Sequence, residues 1–470
     1  GAAMVLTACG GGNTTAPTTG ASSGGETQTA SESAESGKIT KTDIVVGQAS
    51  DIVTLDPAGQ QDTTSGVLMK HAYSTLLDVD NEGKVVPDLA ESYEMKSDTE
   101  YVFKLREDAC FWDGTPVTAQ DVKFSLDRAK GMPKTKSNTS KIEEVTVNGD
   151  HEVTIKLTEP YAAFKTIVTQ HNLSILSEKA VTEAGDSYGD VDNLLGSGPF
   201  KVTEWVPNDH YTLVRNDNYW GEMPIATSIT CRVIPEGSAR TIALEAGEID
   251  VVWSVDPTDC ANVESNPDVK LLSQPSTGID YVGMNTQKEK FSDKRVRQAI
   301  NYALDKQTFV DTIIEGRGLV ANSYINAAIP GWTDEVEAYP YDPEKAKELL
   351  AEAGYPDGFE CSIFVNGDLR TRSAQILQAQ LADVGIKVDI STYEWGALLD
   401  TLNAGEHEMF LLGWSNTSFD PDGSTYQLFY SGNHGATGNR AFFSNDKVDE
   451  LILSAQRESE ESKRMELYKE

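Results

Sequence analysis

An α/β architecture in two lobes is the fold class this sequence predicts, on three observations. Strands and amphipathic helices alternate through the C-terminal half. The N-terminal half instead carries two hairpin patterns interleaved with helices. The change from one pattern to the other falls near Ser273–Met284, which places the junction between lobes there.

The first residues read as an anchor. Leu6-Thr7-Ala8-Cys9 ends a short apolar run and has the form of a bacterial lipobox. Small residues before the cut admit the peptidase, and the Cys9 thiol takes the lipid. The run Ala2–Ala8 is too short for a membrane span or a whole signal core, so residues 1–8 are expected to be the remnant of a longer signal peptide. Residues 9–40 are almost all small or polar, with one Pro and no aromatic. Such a stretch cannot bury enough apolar surface to offset its ordering entropy. It is expected to be a flexible tether of roughly 30 Å reach.

Beyond the tether, Tyr101–Arg106 reads as a strand and Gln120–Lys130 as a helix. Glu143–Val147 and Glu152–Leu157 form a hairpin across Asn148-Gly149-Asp150, a strong turn signal. Phe200–Trp205 with His210–Val214 is a second hairpin. Ser238–Ala246 is a helix stopped by Gly247 and followed by a strand, Ile249–Trp253.

In the C-terminal half, Asp342-Pro343 is an N-cap followed by a proline at the first helical position, and Gly354 is the stop. Cys361–Val365 is a buried strand, Thr371–Val384 a helix with Leu377, Leu381 and Val384 on one face, and Ile386–Ile390 the next strand. Strand, helix and strand in about thirty residues make a βαβ unit with a parallel pair. Trp395–Asn403 is helical, and Met409–Leu412 is a strand buried on both faces.

Charge and cysteine usage narrow the function. The formal net charge is −35, from 74 acidic and 39 basic residues, which excludes nucleic acid as a partner. Cys110, Cys231, Cys260 and Cys361 form no Cys-x-x-Cys pair and are expected to be isolated thiols. Fragments that imitate active sites fail on inspection. Asp78–Gly83 opens like a calcium loop, but Leu89 stands where a bidentate Glu is required. In Gly196-Ser197-Gly198 the following Pro199 removes a phosphate donor, and Gly405–Glu408 lacks the second His of a zinc-protease helix. The six histidines are scattered singly. No enzyme, cofactor or metal is predicted.

An ordered set of motifs then carries a resemblance. After Asp56-Pro57 come Val86-Pro87-Asp88-Leu89-Ala90-Glu91-Ser92 and Trp112-Asp113-Gly114-Thr115-Pro116-Val117-Thr118-Ala119. Gly196-Ser197-Gly198-Pro199-Phe200, Asn218-Tyr219-Trp220, Ala246-Gly247-Glu248-Ile249-Asp250 and Val296-Arg297-Gln298-Ala299-Ile300 follow. In this order they resemble the solute-binding proteins of the peptide/nickel ABC importers, family 5, from about residue 44 onward. The resemblance implies a two-lobe periplasmic-binding-protein fold, type II-like, whose cleft closes over a solute. Lobe I is expected at 41–275, with an inserted subdomain at about 60–190, and lobe II at 276–470. It also implies a C-terminal return to lobe I, expected to lie beyond the last residue of this sequence. Thr392-Tyr393-Glu394-Trp395-Gly396 and Gly413-Trp414 bring it nearest to the dipeptide and oligopeptide binders.

Ligands in open α/β sheets gather beyond the carboxyl ends of parallel strands. The segments Gly413-Trp414-Ser415-Asn416-Thr417 and Asn366–Arg370 should therefore share a crevice. Trp395 and Trp414 match pocket tryptophans of the peptide binders; core packing is the alternative. Those relatives hold the solute ammonium with an Asp where this chain has Thr417, while Asp420 and Asp422 fall in an Asp-Pro-Asp-Gly turn. Arg370 and Arg372 flank the position of the carboxylate clamp, with ordinary helix-surface arginines as the alternative. Ser50 and Phe124 are the candidates from lobe I.

The function expected is a monomeric receptor, extracytoplasmic and lipid-anchored at Cys9, that delivers peptides to a membrane ABC permease. Glutathione-like compounds, an oligosaccharide or a nickel chelate are alternative solutes. A surface peptidase and a sensory or adhesive protein are alternatives of other classes.

Overall fold

The computed structural model describes residues 41–336, 338–436 and 438–470. Cys9, the tether and the signal remnant lie outside them. Three sheets each cover an apolar core.

The first sheet has five strands in the order Val251–Val252, Asp43–Gln48, Ser228–Val233, His210–Arg215 and Phe200–Val206. Asp43–Gln48 runs parallel to both of its neighbours, and the remaining pairs are antiparallel. Leu55, Leu68, Met69, Tyr211 and Leu213 fill the core beneath. A second unit lies between these strands in sequence. Its four antiparallel strands run Ala90–Ser97, Glu100–Leu105, Glu152–Leu157 and Ile142–Gly149. The helix Ala119–Lys130 turns Val122 and Leu126 onto Phe103, Val153 and Ile155. Each such buried side chain contributes ~1.5–3 kcal/mol, which gives this unit a core of its own.

The third sheet carries the order Gly278–Met284, Met409–Ser415, Phe359–Val365, Ile386–Thr392. Phe359–Val365 is parallel to Ile386–Thr392 and to Met409–Ser415, as the βαβ pattern requires. Ile363, Val365, Leu377, Leu381, Ile386 and Met409 interlock with Val296 and Ile300. Gly283 is the one residue that fits above Phe410: a Cβ there would stand 2.0 Å from the ring.

Three elements depart from their expected bounds. The helix after Val365 starts at Gly367, so Asp368, Leu369 and Arg370 lie in its first turn and not in a loop. Met409–Leu412 continues to Ser415, because Gly413, Trp414 and Ser415 pair with Asp280, Ile279 and Gly278. The strand expected over Ile249–Trp253 is paired only at Val251–Val252. Asp78–Gly83 belongs to a turn between the paired strands Leu77–Val79 and Val85–Pro87, with Asp80 Oδ1 accepting from the Glu82 and Lys84 amides.

The last helices, Asp446–Arg457 and Glu461–Lys469, reach back to the four-stranded unit. Ala162 N–H donates to the Gln456 carbonyl at 2.7 Å, and Arg457 pairs with Glu159. Cys231, Cys260 and Cys361 are buried thiols and Cys110 is half-buried; all four are free.

Candidate functional site

The carboxyl ends of the parallel strands in the first and third sheets face one another. Arg372, on the helix Gly367–Ala382, donates from Nη2 to both oxygens of Asp256, at 3.2 and 3.0 Å. Asp256 follows the strand Val251–Val252 and caps the next short helix through the Thr258 amide. Burial pushes its carboxyl up, but the bonds from Thr258 and Arg372 outweigh this and hold it below the ordinary value. A cavity of about 300 Å³ opens here. It is lined by Glu236, Gly237, Ser238, Asp256 and Thr258 from the first sheet's side and by Asp368, Thr371 and Arg372 from the third's. Glu236 and Asp368 face each other across it, and their proximity raises the Glu236 carboxyl.

A second group forms around Gly413. A Cβ there would stand 3.0 Å from Arg370 Nη2 and 3.0 Å from Asp280 Oδ1, so the bare backbone admits the pair between them. Arg370 Nη2 donates to that carboxylate at 3.1 Å, while its Nε is buried without a partner. Trp414, next along the strand, is half-buried and anchors its indole Nε1 on the Gly423 carbonyl at 3.1 Å. Ser415 is exposed at the strand end.

The other nominated residues serve different ends. Asn416 is buried and ties the following turn: Nδ2 donates to the Asp420 carbonyl and Ser424 Oγ, and Oδ1 accepts from Ser418. Thr417 is exposed and donates to Gln170 Oε1 at 3.1 Å, a bond from the third sheet to the four-stranded unit. Asp420 and Asp422 are committed to the interior. Asp420 forms a two-pronged pair with Arg464, at 2.8 and 2.5 Å, and Asp422 accepts from Tyr161 and Gln456. Neither can stand in for a carboxylate at 417. Trp395 is half-buried and packs against Leu398, Leu402 and Phe410. Asn366 precedes the helix without capping it through its side chain, and its Nδ2 donates to the Tyr393 carbonyl. Ser50 lies just past Asp43–Gln48, its carbonyl held by Gln48 Nε2. Phe124 packs on the core under the first sheet, apart from the group around Gly413.

Comparisons with known proteins agree on one family. Residues 84–436 match the profile of the bacterial extracellular solute-binding proteins, family 5, middle region. The chain belongs to this family. It is 32% identical to the glutathione-binding protein GsiB of Shigella boydii over 446 residues, covering 91% of this chain and 85% of that protein. Among solved structures it is similar to the periplasmic binding protein DppA of Helicobacter pylori in complex with the peptide STSA. That match has a TM-score of 0.86 and 30% identity, covering 91% of this chain and 88% of that one. The binding protein AgaA of A. tumefaciens R10, in complex with agropinic acid, gives a TM-score of 0.85 at 27% identity, with 91% and 88% covered. The two-lobe periplasmic-binding-protein fold expected from the sequence is thus the fold observed.

For this family 5 solute-binding protein, sequence reasoning passed over several residues at the lobe junction. Trp253 is 50% exposed at the carboxyl end of Val251–Val252, an unusual exposure for an indole. Beside it, Ser254 has φ +63 and offers its carbonyl to Arg240 Nη2 at 3.1 Å. The strand-end rule that nominated Trp414, applied to the first sheet, would have found Trp253. Glu236 and Asp256 carried no motif. Only the opposed lobe gives them meaning.

Proposed function

We propose that this chain is the extracytoplasmic receptor of an ABC importer, that it captures a peptide or peptide-like solute between its lobes, and that lipid on Cys9 holds it to the membrane. It acts as a monomer and turns nothing over. One observation carries the reading: the two sheets present their carboxyl ends to one junction, and polar bonds span it. Arg372–Asp256 and Thr417–Gln170 can open and reform at small cost, as a hinged receptor needs. No helix among the described residues is long and apolar enough to cross a membrane. Relatives named for binding glutathione, or solved with a peptide, support a solute of that size and kind.

The test is calorimetric titration of the chain with glutathione, tri- to nonapeptides, oligosaccharides and nickel–histidine, with mass spectrometry of the recovered solutes. Saturable binding of an intact peptide is expected. Cleaved products would move the protein to the peptidases, and binding of nickel–histidine alone would replace the peptide. Cys9→Ser is expected to leave the membrane fraction of its host, and its retention there would remove the anchor.

A further inference from the structure

Two cations at the lobe junction form no ion pair among the described residues. Arg440 is only 6% exposed, and its Nε donates to Asn403 Oδ1 at 3.0 Å. No described residue bonds its terminal nitrogens or brings a carboxylate within ion-pair reach. Lys134 is half-buried in the four-stranded unit and, among the described residues, makes neither a hydrogen bond nor an ion pair. Both segments dock on Gln427. Its Nε2 donates to Asn138 Oδ1 at 3.0 Å and its Oε1 accepts from Ser137 Oγ, four and three residues beyond Lys134. Its carbonyl lies 2.6 Å from where a Cβ of Gly438 would stand, two residues before Arg440. Lys134 and Arg440 therefore act on each other, and burial together with that repulsion lowers the Lys134 ammonium.

The surroundings are sparse in counter-charge. Asp62 and Asp400 attract Lys134 only from beyond ion-pair distance. Asp62 Oδ1 is committed to capping the Ser65 amide while its Oδ2 is buried without a partner, and Asp400 is exposed to water. Next to Arg440 stands Tyr281, paired with Leu412 and one register step from Asp280–Gly413; Arg440 and Arg370 both act on its phenol. Tyr281 packs with Phe410 and Leu412 on the sheet face opposite Asp280, so the two cations border that face at the carboxyl end of the strands. A desolvated cation without a partner is costly, and a carboxylate held by charge-assisted hydrogen bonds removes that cost. Thr417, where the peptide-binding relatives place an ammonium-binding Asp, and the committed Asp420 and Asp422 offer no carboxylate to a positive group at that position.

We propose that Lys134 and Arg440 together bind a second carboxylate of the solute, so that this receptor selects acidic peptides of net negative charge. This rests on the peptide-receptor reading above. The Tyr281 hydroxyl adds a donor.

Calorimetry of Ala-Glu-Ala, Ala-Gln-Ala and Ala-Lys-Ala tests it. The Glu peptide should bind at least about ten-fold more tightly than its Gln isostere, and the Lys peptide most weakly. Lys134→Gln should abolish the Glu-over-Gln preference without lowering the melting temperature of the empty protein, and Lys134→Arg should keep the preference. Equal binding of the Glu and Gln peptides, a preference that survives Lys134→Gln, or a lower melting temperature in that variant each overturn the proposal. Should no peptide bind, thermal shift with glutarate and tricarballylate against their amides decides. Stabilisation by the acids alone, lost in Lys134→Gln, retains the anion site and removes the peptide. No distinction between acid and amide overturns the site.

Discussion

Trp414 hangs from a single polar bond and lies outside the apolar clusters that hold the described residues together, whereas Trp395 packs into one of them. An indole so placed is available to a solute at little expense to the fold. Trp414→Ala is expected to weaken peptide binding by more than ten-fold, since an indole buried against a ligand contributes on the order of 1.5–3 kcal/mol. Denaturant titration of the same variant should show a small loss. A loss of about 3–5 kcal/mol with affinity unchanged would make Trp414 a core residue. Thr417→Asp is the companion: Gln170 can turn its amide to donate, and the new carboxylate should strengthen peptides with a free amino terminus. Unchanged affinity for them would show that position 417 does not meet the ammonium group. At this scale the sequence exposed the residues at or just beyond a strand's carboxyl end, such as Gly413, Trp414 and Arg370. It hid Lys134, Asp256 and Arg440, whose neighbours come from other segments.

Elements were legible where the signal is local. Asp342-Pro343 starts a helix, its side chain accepting from the Lys345 amide at 2.9 Å, and Asn148-Gly149 turns a hairpin. Boundaries failed where the partner is remote. Gly413–Ser415 is strand only because Gly278–Asp280 lies beside it, about 135 residues away. The helix Asp422–Phe429 is a further case, because its acidic start reads as a surface turn yet is buried. Burial first, and Asp420 second, push the Asp422 carboxyl up to about 6 from 3.8. A carboxyl raised on folding stabilises fully below its unfolded value and loses that contribution as pH climbs through its folded one. The window here is about pH 4 to 6. Asp422→Asn, neutral at every pH, should match the parent near pH 4 and exceed it at pH 7 by on the order of 2–3 kcal/mol. Greater stability of the parent at pH 7 would show that the bonds from Tyr161 and Gln456 to the carboxylate outweigh its burial.

The molecule as a whole is joined across its junction by contacts of opposite pH response. Arg372–Asp256 strengthens as the carboxylate ionises, whereas Glu236 and Asp368 repel one another once both are ionised. Arg240 does not neutralise the acid pair, because its Nη groups are committed to the carbonyls of Ile234, Pro235 and Ser254. Ser238, Thr258 and Thr371 add no charge to the cavity. The Glu236 carboxyl is raised, so the repulsion is absent below the ordinary Glu value and grows as pH rises through the raised one. The solute-free protein should therefore be more compact at pH 5 than at pH 7.5 by small-angle scattering. Glu236→Gln, whose amide donates to Asp368 at either pH, should be compact at both and bind solute more tightly at pH 7.5, because less of the closure remains to be made on binding. Arg372→Gln should open the lobes at both pH values. A pH response in Glu236→Gln equal to the parent's would exclude the acid pair as its origin and leave Asp256, protonated from the other direction, as the group that governs closure.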